Sequence, residues 1–228
     1  MTYKKIILIL LFIAVDANTN EVPFYSATYK FESNEISIEG IREFKKTEDG
    51  YAMTFNASNL IATMDFVSKF QISNNSIYSE SYDIKIKPKF LNRDQLVKFD
   101  YSKNIIESSG RNSWKENVDL NKIVLDPLNA QIMIRTFIKK NTKKFSLNII
   151  NMQQGGIKKY FYELTNIEDC SFNELIYTCY IVERTKDESS RKVKYFLAKE
   201  LGYMFIKIID KSPENTNTLE LKKILSFG

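Results

Sequence analysis

Apolar and polar side chains alternate along most of this chain. Tyr25, Ala27, Tyr29 and Phe31 interleave with Ser26, Thr28 and Lys30. Tyr82, Ile84 and Ile86 do so with Asp83, Lys85 and Lys87, and Val193, Tyr195 and Leu197 with Lys192 and Lys194. A period of two places one face of a strand on a core and the other in water, and it lays no stripe along a helix. Further runs of strand character fall at 35–45, 50–57, 62–73, 95–108, 145–152, 157–168 and 217–226. Leu175 to Val182 is apolar on both faces apart from Thr178, and Met204 to Ile209 is similar, so both read as central strands. The chain has 7 glycines but 20 asparagines. Asparagine tolerates the left-handed backbone, so Asn74-Asn75 and Asn173 are expected to make turns. Gly155-Gly156, between Phe145–Asn151 and Ile157–Leu164, is the clearest hairpin signal.

One segment departs from the period. Asp126 followed by Pro127 predicts a helix start, with a capping carboxylate and then a residue pre-set for the first turn. Ala130, Met133, Ile134, Phe137 and Ile138 fall at helical spacing and give one apolar face. Lys139 and Lys140 close the helix favourably against its dipole. The fold class is therefore mainly β: a long antiparallel meander curled into a barrel or half-barrel to hide its edges, with one covering α-helix. No linker or composition break divides the chain, so 18–228 reads as a single β-rich domain.

The first residues read as an address. Lys4 and Lys5 form a positive n-region, and Ile6 to Val15 is a ten-residue apolar run. Val15-Asp16-Ala17 predicts a signal peptide over 1–17 with cleavage after Ala17. Ten residues reach only about 15 Å as a helix, half of a hydrocarbon core of about 30 Å. No later stretch approaches the length of a membrane helix, so a mature chain that does not span the membrane is expected. Cleavage removes two lysines and one aspartate and takes the net charge from +5 to +4. That mild value points away from nucleic acid. Lys139, Lys140, Lys143 and Lys144 cluster, and read as a solvated helix end and loop.

The chain has no histidine, which excludes His-based hydrolysis and His-ligated metal or haem. No Gly-rich phosphate loop is present. No cofactor, metal site or catalytic residue is expected, and the reading is non-enzymatic. Two carboxylates weigh on the other side, Asp100 and Asp126, but a turn and a helix cap account for them. The two cysteines, Cys170 and Cys179, flank a turn at Ser171-Phe172-Asn173. An oxidising compartment favours a disulfide between them. A tight turn would instead place Cys170 opposite a residue near Leu175. Trp114 lies in a polar stretch, as a loop residue folded back on the core or as an exposed contact.

Four stretches are similar to one family. Tyr25-Ser26-Ala27-Thr28-Tyr29 resembles its first strand, Phe99-Asp100-Tyr101 its Phe-Asp-aromatic motif, and Asp126-Pro127-Leu128 the aspartate that opens its helix. Tyr195-Phe196-Leu197-Ala198-Lys199-Glu200-Leu201-Gly202-Tyr203, followed by Met204-Phe205-Ile206-Lys207-Ile208, resembles its closing strand pair. The chain thereby resembles the exported bacterial proteins of domain of unknown function 3108, over roughly 23 to 226. Phe196 stands where the family favours Trp. Phe205 replaces a Pro and restores a backbone donor, which suggested a freed strand edge. The resemblance implies a β-rich protein of the Gram-negative periplasm and carries over no catalytic residue. The sequons at Asn56 and Asn74 have no meaning in that setting. Two functions follow as expectations: binding or carrying an apolar, lipid-like ligand in the mouth of the curl, or serving as an envelope interaction factor that holds a protein partner at a sheet edge or aromatic patch.

Overall fold

The computed structural model describes residues 22–60, 62–87, 93–119, 122–185 and 191–228. The predicted signal segment and its cleavage point after Ala17 lie outside the described residues.

Strands follow one another in order. They are β1 (Tyr25–Glu32), β2 (Ser37–Thr47), β3 (Gly50–Ser58), β4 (Thr63–Ser73), β5 (Ser76–Lys87), β6 (Gln95–Asp100), β7 (Ile105–Gly110), β8 (Trp114–Asn117) and β9 (Val124–Leu125). The helix α1 (Asn129–Lys139) comes next. Then come β10 (Lys144–Ile150), β11 (Ile157–Phe172), β12 (Leu175–Thr185), β13 (Lys192–Ala198), β14 (Met204–Lys211) and β15 (Thr216–Phe227). All fifteen belong to one sheet, with β8 and β9 at its edges and β1 paired to β15 in its middle. Every pairing is antiparallel except that of β9 with β10. The order is a ring of neighbours opened between two consecutive strands, so the sheet is curled but not closed.

The edges are short: four residues in β8 and two in β9. Short edges expose few unpaired backbone groups. Side chains bridge the gap. Gln95 Nε2 and Asn112 Nδ2 donate to the Met152 carbonyl at 2.9 and 3.2 Å, which ties the β10–β11 loop to the β6–β8 end. Trp114 lies on β8 under that loop. A Cβ on Gly155 would stand 2.8 Å from its ring, and Gly155 has φ +77°, so only glycine fits there.

The alternation places Tyr25, Ala27 and Tyr29 inward on β1, and Val193, Tyr195 and Leu197 on β13. The predicted turns form: Asn74, Asn75 and Asn173 all have positive φ, with Glu174 completing the last. The run 95–108 is two strands, because Tyr101–Asn104 turns with Asn104 at φ +58°. Leu175 to Val182 is not central throughout. Leu175 and Ile176 are exposed, since the β11–β12 hairpin projects past its neighbours, and burial begins at Cys179. Phe205 does not free an edge: it pairs with Leu197 of β13, its carbonyl accepts from the Tyr29 hydroxyl, and its ring is buried.

The helix does more than cover a face. Its predicted stripe is buried except for Phe137, which is half-buried, and Asn129, Ile132, Arg135 and Thr136 on its other sides are buried as well. The sheet wraps it, and α1 fills the concave side. Its moderate length and absence of a wet face follow from that position.

Candidate functional site

Two polar constructions hold α1 in place. At its start Asp126 is fully buried. Its carboxylate accepts from the backbone N–H of Leu128 and Asn129 at 2.8 and 2.9 Å, and from Ser68 Oγ on β4 at 2.6 Å. Asn129 returns the contact, its Oδ1 accepting from the Asp126 N–H at 2.9 Å. Its Nδ2 donates to Ser79 Oγ on β5, which in turn donates to the Val124 carbonyl. Asp126 thus caps the first turn, as its sequence position predicts, and also anchors it to β4. Burial pushes its carboxyl up to about 6, against the lowering effect of these three donors.

In the middle of α1, Arg135 is wholly buried. It donates to the Gly202 carbonyl from Nε and Nη2 at 3.4 and 3.1 Å, and to the Pro23 carbonyl at 3.1 Å. Its guanidinium lies 5.2 Å from the Tyr25 ring centroid. It therefore ties the helix to the start of the chain and to the β13–β14 turn. Burial brings its pKa down to about 10.

A second buried arginine is different. Arg42 is 1% exposed, on an inward position of β2 flanked by Gly40 and Phe44, while Ile41 points outward at 43% exposure. Gly40 is required beside it, because a Cβ there would stand 2.6 Å from Ala57 Cβ. The Arg42 guanidinium lies 5.5 Å from the Tyr29 ring, and Tyr29 donates its hydroxyl to the Phe205 carbonyl at 2.7 Å. Arg42 Nη2 donates to Gln131 Oε1 on α1, and its Nε has no partner among the described residues.

Arg42 borders an open trough of about 240 Å³. Phe31, Phe55, Phe66, Leu128 and Leu219 give it apolar walls, and Gln131, Ile208 and Asp210 lie along one side. Those last three also line a second hollow of about 390 Å³ between α1 and the inner faces of β10–β14. The second hollow is the polar one. Arg184 stacks on Tyr160 at 4.6 Å, and Arg191 grips Asp210, its Nε 2.6 Å from Oδ1. The two hollows form one mouth at the N-terminal end of α1: apolar on the β1–β4 side, polar on the β11–β14 side. A further hollow of about 20 Å³, under Phe24 and Met133, is too small for a ligand.

The residues singled out from sequence lie mostly elsewhere. Cys170 and Cys179 are bonded, with Cα atoms 5.8 Å apart, on the projecting β11–β12 hairpin. The turn is tight and pairs Cys170 with Tyr177, so the bridge runs diagonally to the next inward position. Asp100 sits in an exposed turn, held by Ser102 and Lys103. Its carboxyl lies at about 2 because the Lys103 ammonium and the Ser102 hydroxyl donate to it. Lys139 to Lys144 lie at the far end of α1, where Lys144 pairs with Glu163. The helix start touches the mouth through Pro127 and Leu128, and Ala130 and Ile134 of the predicted stripe and Phe31, Val193 and Tyr195 of the predicted strands also line it. Arg42, Gln131, Arg184 and Arg191 were not foreseen. Arg42 alone left a signal: a cation in the inward phase of Ile38-Gly40-Arg42-Phe44, with an isoleucine in the outward phase.

In fold, the chain is similar to the crystal structure of a beta-barrel-like protein of domain of unknown function DUF1849 from Brucella abortus. The TM-score is 0.58 over 90% of this chain and 99% of that one, at 8% identity. At such identity the likeness concerns the fold alone. No curated protein matches the chain. The sequence profile of a protein family described as of unknown function matches residues 25–222, and with nearly all of the sheet inside that match the chain belongs to the domain of unknown function 3108 family, DUF3108.

Proposed function

We propose that this protein is a non-enzymatic binder or carrier of an apolar, lipid-like ligand, working in the periplasm after export. The observation that carries the reading is the trough walled by Phe31, Phe55, Phe66 and Leu219, which shares Gln131, Ile208 and Asp210 with a second hollow of ligand size. Aromatic side chains that turn inward yet leave space between them offer apolar surface to a guest rather than to one another. The carboxylates with the strongest sequence positions support the non-enzymatic reading from the other side. Asp100 is engaged in a surface turn and Asp126 in a helix start.

The reading is tested by exporting the chain into a bacterial periplasm and weighing the purified protein in native and denaturing mass spectrometry. A lipid-sized mass that disappears on denaturation supports it. A clean apo mass that stays clean after incubation with phospholipid and fatty-acid extracts overturns it. The denatured mass also reads cleavage after Ala17. A second reading, partner binding, is favoured by one observation: Ile167 and Ile176 are exposed on one face of the disulfide-bonded hairpin, with Leu175 exposed on the other. Cross-linking in cells with and without Ile176→Asp distinguishes it, since loss of a specific adduct in the variant is the expected outcome for an interaction factor.

A further inference from the structure

Among the described residues Arg42 has no counter-ion. Its one hydrogen bond among the described residues goes to a neutral amide, Gln131 Oε1, and Nε has none. Buried cations are ordinarily paired, because removal from water without an opposing charge is costly. The carboxylate that lines the trough, Asp210, already accepts from Nε and Nη2 of Arg191. Arg135, buried in the same core, also has one nitrogen without a partner among the described residues, Nη1, but it rests on two backbone carbonyls and borders neither hollow, so it is the hollow that sets Arg42 apart.

The surroundings of Arg42 restrict what can supply the missing charge. The planar guanidinium fork matches the two oxygens of a carboxylate. The walls beyond it are phenyl rings and leucine, which give a fully hydrated inorganic anion nothing in exchange for its water. A carboxylate carried on a hydrocarbon chain satisfies both: its head meets the guanidinium and its chain covers Phe31, Phe55 and Phe66.

Resting on the reading of the trough as a ligand site, we propose that its ligand is a fatty acid, bound with the carboxylate against Arg42 and Gln131 and the chain along the phenylalanines. The specificity thus lies in a single-chain anionic amphiphile rather than in apolar matter at large. Gln131 is the positioning residue, since its Oε1 orients the guanidinium while its Nε2 donates to the Pro127 carbonyl at 3.1 Å.

The test uses the full-length protein, with dodecanoate and dodecanol as probes displacing a neutral fluorescent dye, Nile red. A charge-assisted hydrogen bond available to only one of the two predicts that dodecanoate binds roughly tenfold to a hundredfold more tightly. In Arg42→Met that preference disappears while dodecanol affinity stays; in Arg42→Lys part of it returns. Equal displacement by acid and alcohol in the wild-type protein overturns the role of Arg42 and leaves the apolar site standing. Failure of the dye and both probes to bind overturns the site itself. The wild-type comparison decides the matter even if the variants do not fold.

Discussion

Arg42 and Arg135 sit in the same core, each over a tyrosine of β1, yet they do opposite things. Arg135 has backbone carbonyls at Gly202 and Pro23 to receive its protons, and protein packs around it. Arg42 has Gln131 and a void. The Tyr25 ring faces the first and the Tyr29 ring the second, so neither position along β1 nor depth explains the contrast. The difference teaches how to separate a buried charge that builds a fold from one held in readiness. The builder puts its Nε and Nη2 hydrogen bonds on the chain itself, and only its Nη1 has no partner among the described residues. The other leaves its Nε for something that is not part of the chain.

The largest effect expected on that comparison comes from Arg135→Ala. It removes packed methylenes and leaves two part-buried carbonyls without their donor, a loss of roughly 3–5 kcal/mol in urea unfolding. A variant as stable as wild type would break the contrast at its firm end. Next is the pH dependence at Asp126. Its folded carboxyl titrates at about 6 against an ordinary 3.8, so the folded state favours the protonated acid. The contribution is fully favourable below pH 4 and is lost as pH rises through 6, by about 3 kcal/mol. Asp126→Asn cannot ionise. The stability of wild type relative to this variant should therefore fall by that amount between pH 4 and pH 7, and a constant difference would show the carboxylate to be ionised throughout.

A smaller effect belongs to the hairpin outside the curl. Cys170 and Cys179 close a short loop, a separation of nine residues, so reduction should lower stability by roughly 2–3 kcal/mol. Ligand displacement in the mouth should not change, because the bridge lies outside it. The smallest effect sharpens the comparison most. Arg42→Met replaces an uncompensated buried charge by an apolar side chain of similar length, and should leave stability within about 1 kcal/mol of wild type or raise it. A loss as large as that of Arg135→Ala would place Arg42 among the builders.

Much of this fold is legible in the sequence because strand formation leaves a local trace. Tyr25-Ala27-Tyr29 and Val193-Tyr195-Leu197 announce which way they face, and Asn74, Asn75 and Asn173 announce turns through a tolerance of the left-handed backbone that most side chains lack. The helix start at Asp126-Pro127 is equally local. The mouth was not legible. Arg42 and Gln131 are 89 residues apart, and Gln131 looks like an ordinary polar position on an amphipathic helix. Arg184 and Asp210 likewise read as wet positions on their strands. The extent of the exposed hairpin tip was also hidden, since Leu175 and Ile176 look like core residues until the neighbouring strands are seen to stop short.

By itself the sequence determined the strand faces, the turns, the single helix and its cap, and the absence of histidine chemistry. It did so because each depends on side chains within a few positions of one another. Only the tertiary structure decided that β1 pairs with β15, that the sheet opens between β8 and β9, and that α1 lies inside the curl with its polar side buried as well. Those outcomes depend on how a twisted sheet returns on itself, which is a property of the whole strand register. The return brings β2, α1 and β14 around one apolar hollow and leaves one buried arginine at its border.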